Sequence, residues 1–315
     1  MSGLDGSRTS TVRAAMICRR FYLEGASKLA IAEELGISRF KVARILEAAL
    51  ESGLVKITIE SPSGVDLALS EQLRQRYGLR QAIVVDLPIE TEAELRSHLG
   101  RTAAQFIQDI VTESDVLGIG WGRTLDAMTS QLDALPPCPV VQMAGVVGPL
   151  TDNALELVRR VGLLSGGPTY PLYTPLLLSD PQTASAVRTQ PQVASVLRRF
   201  ADITIAVVAI GSWQPPNSQL RASLPVNEQR RLLRLGVRAE ICSTLIDDFG
   251  NPIAPEFAQK AISITDKQLK AVPESVGVAG GADKAAAIMA VLRGGLLTSL
   301  VTDRAAAVEL LKPAG

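Results

Sequence analysis

The sequence contains one histidine, His98, and three scattered cysteines, Cys18, Cys138 and Cys242, with no CxxC spacing. That scarcity excludes a zinc site built from Cys and His and a disulfide framework, and leaves no metal or cofactor expected. Net charge is also missing: 32 Lys and Arg balance 32 Asp and Glu. The whole-chain balance therefore does not announce nucleic acid. No signal pattern opens the chain, and the longest apolar run, Ile203 to Ile210, is far too short to span a bilayer. The expectation is a cytoplasmic protein.

What is present is apolar mass. The 315 residues are 47% hydrophobic, with a mean hydropathy of +0.21, enough for a sizeable core. At about 150 residues per domain the length suggests two domains. Only the Gly/Ser/Thr-rich first ten residues read as disordered. Residues 1–60 hold 9 Lys and Arg against 7 Asp and Glu, net +2, which leaves 23 against 25, net −2, for the remainder.

Residues 12 to about 60 read as a winged helix-turn-helix. Ala14, Ile17, Phe21 and Tyr22 recur at helical spacing, and Gly25 stops that helix. Ser27 caps a second helix carrying Ile31, Ala32 and Leu35, and Gly36 supplies the left-handed stop. Ser38 caps a third helix with Val42, Ile45, Leu46 and Ala49 inward, and Gly53 ends it. Leu54 to Ile59 alternates as a strand. The small Ala32 lets two helices cross closely, Gly36 turns the chain and Val42 anchors the third helix. Ser38, Arg39, Phe40, Lys41 and Arg44 then face outward, with Ser27 and Lys28 beside them. Positive charge at a helix N-terminus opposes the helix dipole, so a partner explains it better than helix stability does. Such cations reach phosphates or the O6/N7 edge of guanine in a major groove.

Ser61-Pro62-Ser63-Gly64 reads as a hinge. The helix of Asp66 to Tyr77 beyond it is either a packing element or a dimer contact. From about residue 80 strands and helices alternate. Strands are expected at 81–86, 115–120, 140–143, 203–210, 275–278 and 297–301, and helices at 99–112, 123–132 and 155–161. Ile203 to Ile210 is apolar without alternation, as a strand buried on both faces requires. The fold class is α/β: a doubly wound parallel sheet at 61–315, preceded by the all-α winged helix-turn-helix of 1–60.

Three carboxyl ends of strands carry glycine, the first two where the strand runs into a helix. Gly118-Ile119-Gly120-Trp121-Gly122-Arg123-Thr124 lets backbone N–H groups approach an anion, with Thr124 adding a hydroxyl and Arg123 a charge. It is neither GxGxxG, since Arg123 stands where glycine is needed, nor a Walker loop. Gly280-Gly281-Ala282-Asp283-Lys284 puts a lysine where the dipole disfavours it, unless an anionic ligand sits nearby. Gly211-Ser212-Trp213 is placed at the same mouth. Each taken singly is also explained as a tight turn or a surface cation.

At this point the chain resembles the SorC-type transcriptional regulators, sugar-catabolism repressors and activators with an N-terminal helix-turn-helix. The likeness is carried by AEELGISRFKVARILEAALESGLVKITI, GIGWGRTL, FADITIAVVAIGS, AEICSTLIDDFGNPI and SVGVAGGADKAAAIMAVLRGGLLTSLVTDRAAAVELL, nearly the whole length. The resemblance implies a large domain similar to phosphosugar isomerases, without their catalysis and so without catalytic residues. It implies a sugar phosphate, or a free sugar or polyol, as effector at the carboxyl edge of the sheet. The family's phosphate loop falls on Gly120, Gly122, Arg123 and Thr124, and its other effector contacts fall on Lys284, Glu240, Arg221 and Asp247. Operator DNA is the implied macromolecular partner, and a homodimer or homotetramer the implied assembly. Trp121 and Arg123 replace smaller residues in the loop, which implies a tighter pocket. Met143 to Gly148 lacks an arginine for a second phosphate, favouring a monophosphate or uncharged polyol. Tyr170 and Tyr173 could add hydroxyls or simply pack.

Two other functions stay in view. A phosphosugar isomerase or aldolase with an appended DNA-binding domain would need an acid/base pair or a Schiff-base lysine, and Glu240, Asp247 and Lys284 are its candidates. A nucleoid protein would bind DNA without sequence preference, which the neutral charge argues against.

Overall fold

The computed structural model describes residues 8–57, 63–147 and 154–313. The chain divides into two compact units, Met1–Glu60 and Ser61–Gly315.

The smaller unit contains α1 (Arg8–Tyr22), α2 (Lys28–Leu35) and α3 (Arg39–Glu51). Ser27 Oγ accepts the Ala30 N–H and Ser38 Oγ accepts the Lys41 N–H, so each hydroxyl satisfies one of the four orphan donors of a helix start. Gly36 sits at φ 60°, where a Cβ would be strained. Ile17, Ile31, Ala32, Val42, Leu46 and Ala49 form the buried centre. The expected wing strand is corrected in part: Leu54–Ile57 is turn and irregular chain, while Thr58 and Ile59 lie outside the described residues. The run Leu54-Val55 contributes instead through Val55, which packs on the helical core. Of the disordered opening expected in the first ten residues, the first seven likewise lie outside the description; α1 begins at Arg8.

The larger unit runs α4 (Leu67–Tyr77), β1 (Gln81–Val85), α5 (Glu92–Ile110), β2 (Leu117–Ile119), α6 (Arg123–Thr129), β3 (Val140–Gln142), α7 (Ala154–Ser165) and β4 (Thr169–Tyr170). It continues through α8 (Pro181–Arg188), α9 (Pro191–Arg199), β5 (Ile205–Ala209), β6 (Gly211–Ser212), α10 (Gln219–Ser223), α11 (Val226–Arg234), β7 (Ala239–Ile241) and β8 (Thr244–Ile246). It ends with β9 (Pro252–Ile253), α12 (Pro255–Lys260), α13 (Asp266–Ala271), β10 (Glu274–Val278), α14 (Ala285–Arg293), β11 (Ser299–Asp303) and α15 (Arg304–Leu311).

Seven strands form one sheet in the order β1-β11-β10-β5-β2-β3-β4, every pair parallel. Register sets Ile119 beside Val207 and Val207 beside Val276. Ile205 and Val207 enter one apolar cluster while Ala206 and Val208 enter the other. Helices therefore cover both faces, which is why the β5 sequence shows no polar alternation. From β2 the chain steps outward to β3 and β4, then returns to place β5 on the other side of β2 and steps away through β10 and β11. The β2/β5 boundary is thus the topological switch point, beyond whose carboxyl ends such sheets leave a crevice.

Two features depart from the expectation. The helix placed at 99–112 begins at Glu92, because Thr91 and Glu94 form a reciprocal capping box. A second, antiparallel sheet of order β6-β7-β8-β9 stands beside the parallel one. Among the described residues no helix is long and apolar enough to cross a membrane.

Candidate functional site

In the smaller unit the cap geometry orients α3 so that Val42, Leu46 and Ala49 point inward and Ser38, Arg39, Phe40, Lys41 and Arg44 are all exposed. Phe40 is 72% exposed, and the Arg39 guanidinium lies 5.4 Å from its ring centroid. No ion pair engages Arg39, Lys41 or Arg44 among the described residues. Ser27 and Lys28 are exposed at the start of α2, with the Lys28 ammonium 5.6 Å from the centroid of the Phe21 ring. Unpaired cations beside a solvent-facing aromatic are what a face needs to meet an anionic backbone and the edges of bases.

In the larger unit a cavity of about 340 Å³ opens beyond the carboxyl ends of β2, β5 and β10. Trp121–Thr124 line it after β2, Ile210 and Gly211 after β5, and Gly280–Lys284 after β10. Glu92, Leu95, Arg96 and Leu99 present one helical face of α5 to it, and Asn217, Gln219 and Glu240 complete the wall. Gly122 at φ 137° turns the chain into α6 through a backbone region that side chains rarely adopt. Gly211 has a different reason: a Cβ there would stand 2.5 Å from Glu240 Oε1.

Glu240 on β7 is buried, and its Oε2 accepts the Trp213 Nε1–H at 2.8 Å. The Ser218 hydroxyl and the Leu220 backbone N–H also donate to it. Burial nevertheless pushes its carboxyl up to about 7. Across the cavity, burial and then the positive charge of Arg123 lower the Lys284 ammonium to about 8. Its Nζ donates to the Ile210 carbonyl at 3.4 Å, a long contact. The Arg123 guanidinium donates to the Asn217 side-chain oxygen, and Arg96 pairs with Glu92 at 2.8 Å. Burial pushes the Cys242 thiol up to about 12, which keeps this wall residue from acting as a nucleophile.

Of the residues expected at an effector site, Gly122, Arg123, Thr124, Glu240 and Lys284 meet at this cavity. The other three do not. Gly120 lies outside the lining, and its N–H is committed to the Val207 carbonyl at 2.9 Å. Arg221 turns away to donate to the Trp213 carbonyl. Asp247 closes the β8–β9 turn, accepting the Phe249 and Asn251 N–H groups at 2.9 and 2.8 Å. His98 lies on α5 outside the lining, and neither Tyr170 nor Tyr173 reaches it. Arg199 covers the Tyr170 ring instead, and Tyr173 is 76% exposed. Conversely, Arg96, Glu92 and Asn217 were not anticipated. Glu92 and Arg96 precede the expected helix of 99–112, and nothing local says that their side of α5 faces a cavity.

The family described as "Putative sugar-binding domain" matches residues 62–312. The transcriptional regulator YjhU of Escherichia coli (strain K12) is 27% identical over 304 residues, spanning 92% of this chain and 92% of that protein. The sorbitol operon regulator of Klebsiella pneumoniae is 27% identical over 304 residues, spanning 94% and 96%. The crystal structure of full-length SorC from the same organism superposes with a TM-score of 0.74 at 25% identity, covering 96% of this chain and all of that one.

Proposed function

The chain belongs to the sugar-binding family of SorC-type transcriptional regulators, and from that premise we propose that a small sugar phosphate, or a polyol of similar size, fills the switch-point cavity and sets affinity for operator DNA. The carrying observation is the convergence of Arg96, Arg123 and Lys284 on one cavity from α5, the start of α6 and the segment after β10. Gathering cations in a half-buried space costs free energy that an anionic ligand recovers. A cavity of about 340 Å³ suits a monosaccharide derivative rather than an oligosaccharide. Thr124, Asn217, Gln219 and Glu240 are the candidate hydroxyl partners.

Residues 1–60 form the operator-binding domain in this reading and 61–315 the effector and oligomerisation domain. Arg39, Lys41, Arg44 and Lys28 contact DNA, with Ser27, Ser38 and Phe40 at the same face. A net charge of +2 over residues 1–60 is small for tight binding by one copy, which supports a homodimer or homotetramer presenting paired recognition helices. The site of action is cytoplasmic. The protein is a binder rather than an enzyme: the histidine lies outside the cavity, and Glu240 already accepts from Trp213, Ser218 and Leu220.

A screen of sugar phosphates and polyols by thermal shift, with product analysis of each hit, tests the reading. Stabilisation without turnover is expected. Isomerised or cleaved product would replace it with the enzyme reading.

A further inference from the structure

Of the cations at the cavity, Arg96 differs from the others in the kind of partner it has. Arg123 is bonded to the neutral Asn217 side chain and Lys284 to a backbone carbonyl. Arg96 alone of the three pairs with a carboxylate, Glu92, one turn earlier on α5. The two ends of that pair differ in environment: the Arg96 side chain is 28% exposed, that of Glu92 65%. Glu92 therefore keeps most of its hydration while bonded. A pair with one partner so exposed contributes little to stability, so exchanging the carboxylate for another anion costs little. The guanidinium fork, by contrast, matches a phosphate with two parallel hydrogen bonds.

The other acids at the cavity cannot take the role of exchangeable partner. Glu240 is buried and already accepts from Trp213, Ser218 and Leu220. Asp283 is exposed at the rim, and no ion pair joins it to Arg96, Arg123 or Lys284. An ordinary i, i+4 helix pair would look the same at the Glu92 end, but it would not set a mostly buried arginine into the wall of a cavity that two further cations share.

Resting on the effector reading above, we propose that the Glu92–Arg96 pair is a placeholder. The ligand's phosphate displaces Glu92 and takes Arg96 as its fork, so the site selects a phosphate monoester over the neutral polyol of the same skeleton. Arg96 is then a specificity-determining residue supplied by α5, and Glu92 is the internal competitor that keeps it oriented when the cavity is empty of ligand.

Inorganic phosphate is the probe, titrated into the full-length protein at constant ionic strength with chloride as reference and followed by calorimetry or thermal midpoint. Wild type is expected to bind it, Arg96→Met to bind at least tenfold more weakly, and Glu92→Gln several-fold more tightly because the competitor is gone. Glu92→Gln cannot be mistaken for a folding defect, since its effect is a gain. Equal phosphate affinity in wild type and Arg96→Met overturns the proposal. If wild type ignores phosphate yet is stabilised by a neutral hexitol, the anion selection falls and the sugar-effector reading stands. If it responds to neither these probes nor the wider screen, both fall.

Discussion

Replacing Glu240 by glutamine tests the electrostatics of the cavity wall through the pH dependence of stability. The carboxyl is raised by burial from 4.5 to about 7. Between those values the folded protein holds a proton that the unfolded chain has released. Stability therefore falls as pH rises from about 4.5 to about 7 and is level above. At about 1.4 kcal/mol per pH unit the loss amounts to about 3 kcal/mol. Other groups add their own slopes, so the quantity to measure is the difference between wild type and variant. Urea unfolding midpoints of both proteins at pH 5, 6, 7 and 7.5 supply it, in a window below the titration of Lys284 near 8. Wild type should lose about 2 kcal/mol more than Glu240→Gln between pH 5 and 7.5, the part of the full loss that this window spans. Absolute stability is a poorer readout. Three donors, from Trp213, Ser218 and Leu220, converge on the carboxylate, and a glutamine amide turns a donor toward one of them. Parallel pH profiles for the two proteins would refute the assignment of a buried, raised carboxyl.

Other consequences follow from the same geometry. Arg39→Ala should weaken operator binding by about 1–3 kcal/mol and relax sequence preference if its guanidinium reads a base; anisotropy titration with operator and scrambled DNA measures both. Gly100→Ala should destabilise by about 1–3 kcal/mol through overpacking, seen as a lowered thermal midpoint. Its Cβ would stand 2.7 Å from the Ala127 carbonyl carbon and 2.8 Å from the Met128 nitrogen, where α5 crosses α6. Anionic effector affinity should hold from pH 6.5 to 7.5 and decline as pH rises through about 8, where the Lys284 ammonium loses its proton. A neutral ligand should show no such decline, and calorimetry on both sides of that pH distinguishes them.

What could be read from the chain was whatever neighbouring residues decide. Ser27, Gly36 and Ser38 act within one turn of themselves, and the helix-turn-helix they punctuate is formed as expected. Buried parallel strands announce themselves by apolar runs, and Ile205–Ala209 lies inside the expected segment. The antiparallel sheet gave no such signal, because its strands are two or three residues long and cannot show a period. Thr91 and Glu94 carry a capping-box pair in the sequence itself, so the start of α5 is a local signal seven residues ahead of the expected one. The candidate site was half legible. Glycine-edged junctions after β2 and β10 mark strand ends, and these bring Arg123, Thr124 and Lys284 to one cavity. Arg96 and Asn217 reach the same place only through sheet order and helix crossing. Asp247 stands outside the cavity because a carboxylate before Asp-Phe-Gly-Asn serves the turn it stands in, and Arg221 because its partner is a local carbonyl.

The central claim is that a ligand in the switch-point cavity governs operator binding. Operator affinity measured with and without a stabilising sugar phosphate, in wild type and in Thr124→Ala, tests it most directly. Thr124 lines the cavity and belongs to the unit of Ser61–Gly315, whereas α3 belongs to Met1–Glu60. The account predicts that the ligand changes wild-type affinity at least tenfold, while Thr124→Ala binds DNA normally and does not respond. A variant that responds like wild type, or a ligand that stabilises the protein and leaves operator affinity unchanged, would contradict it.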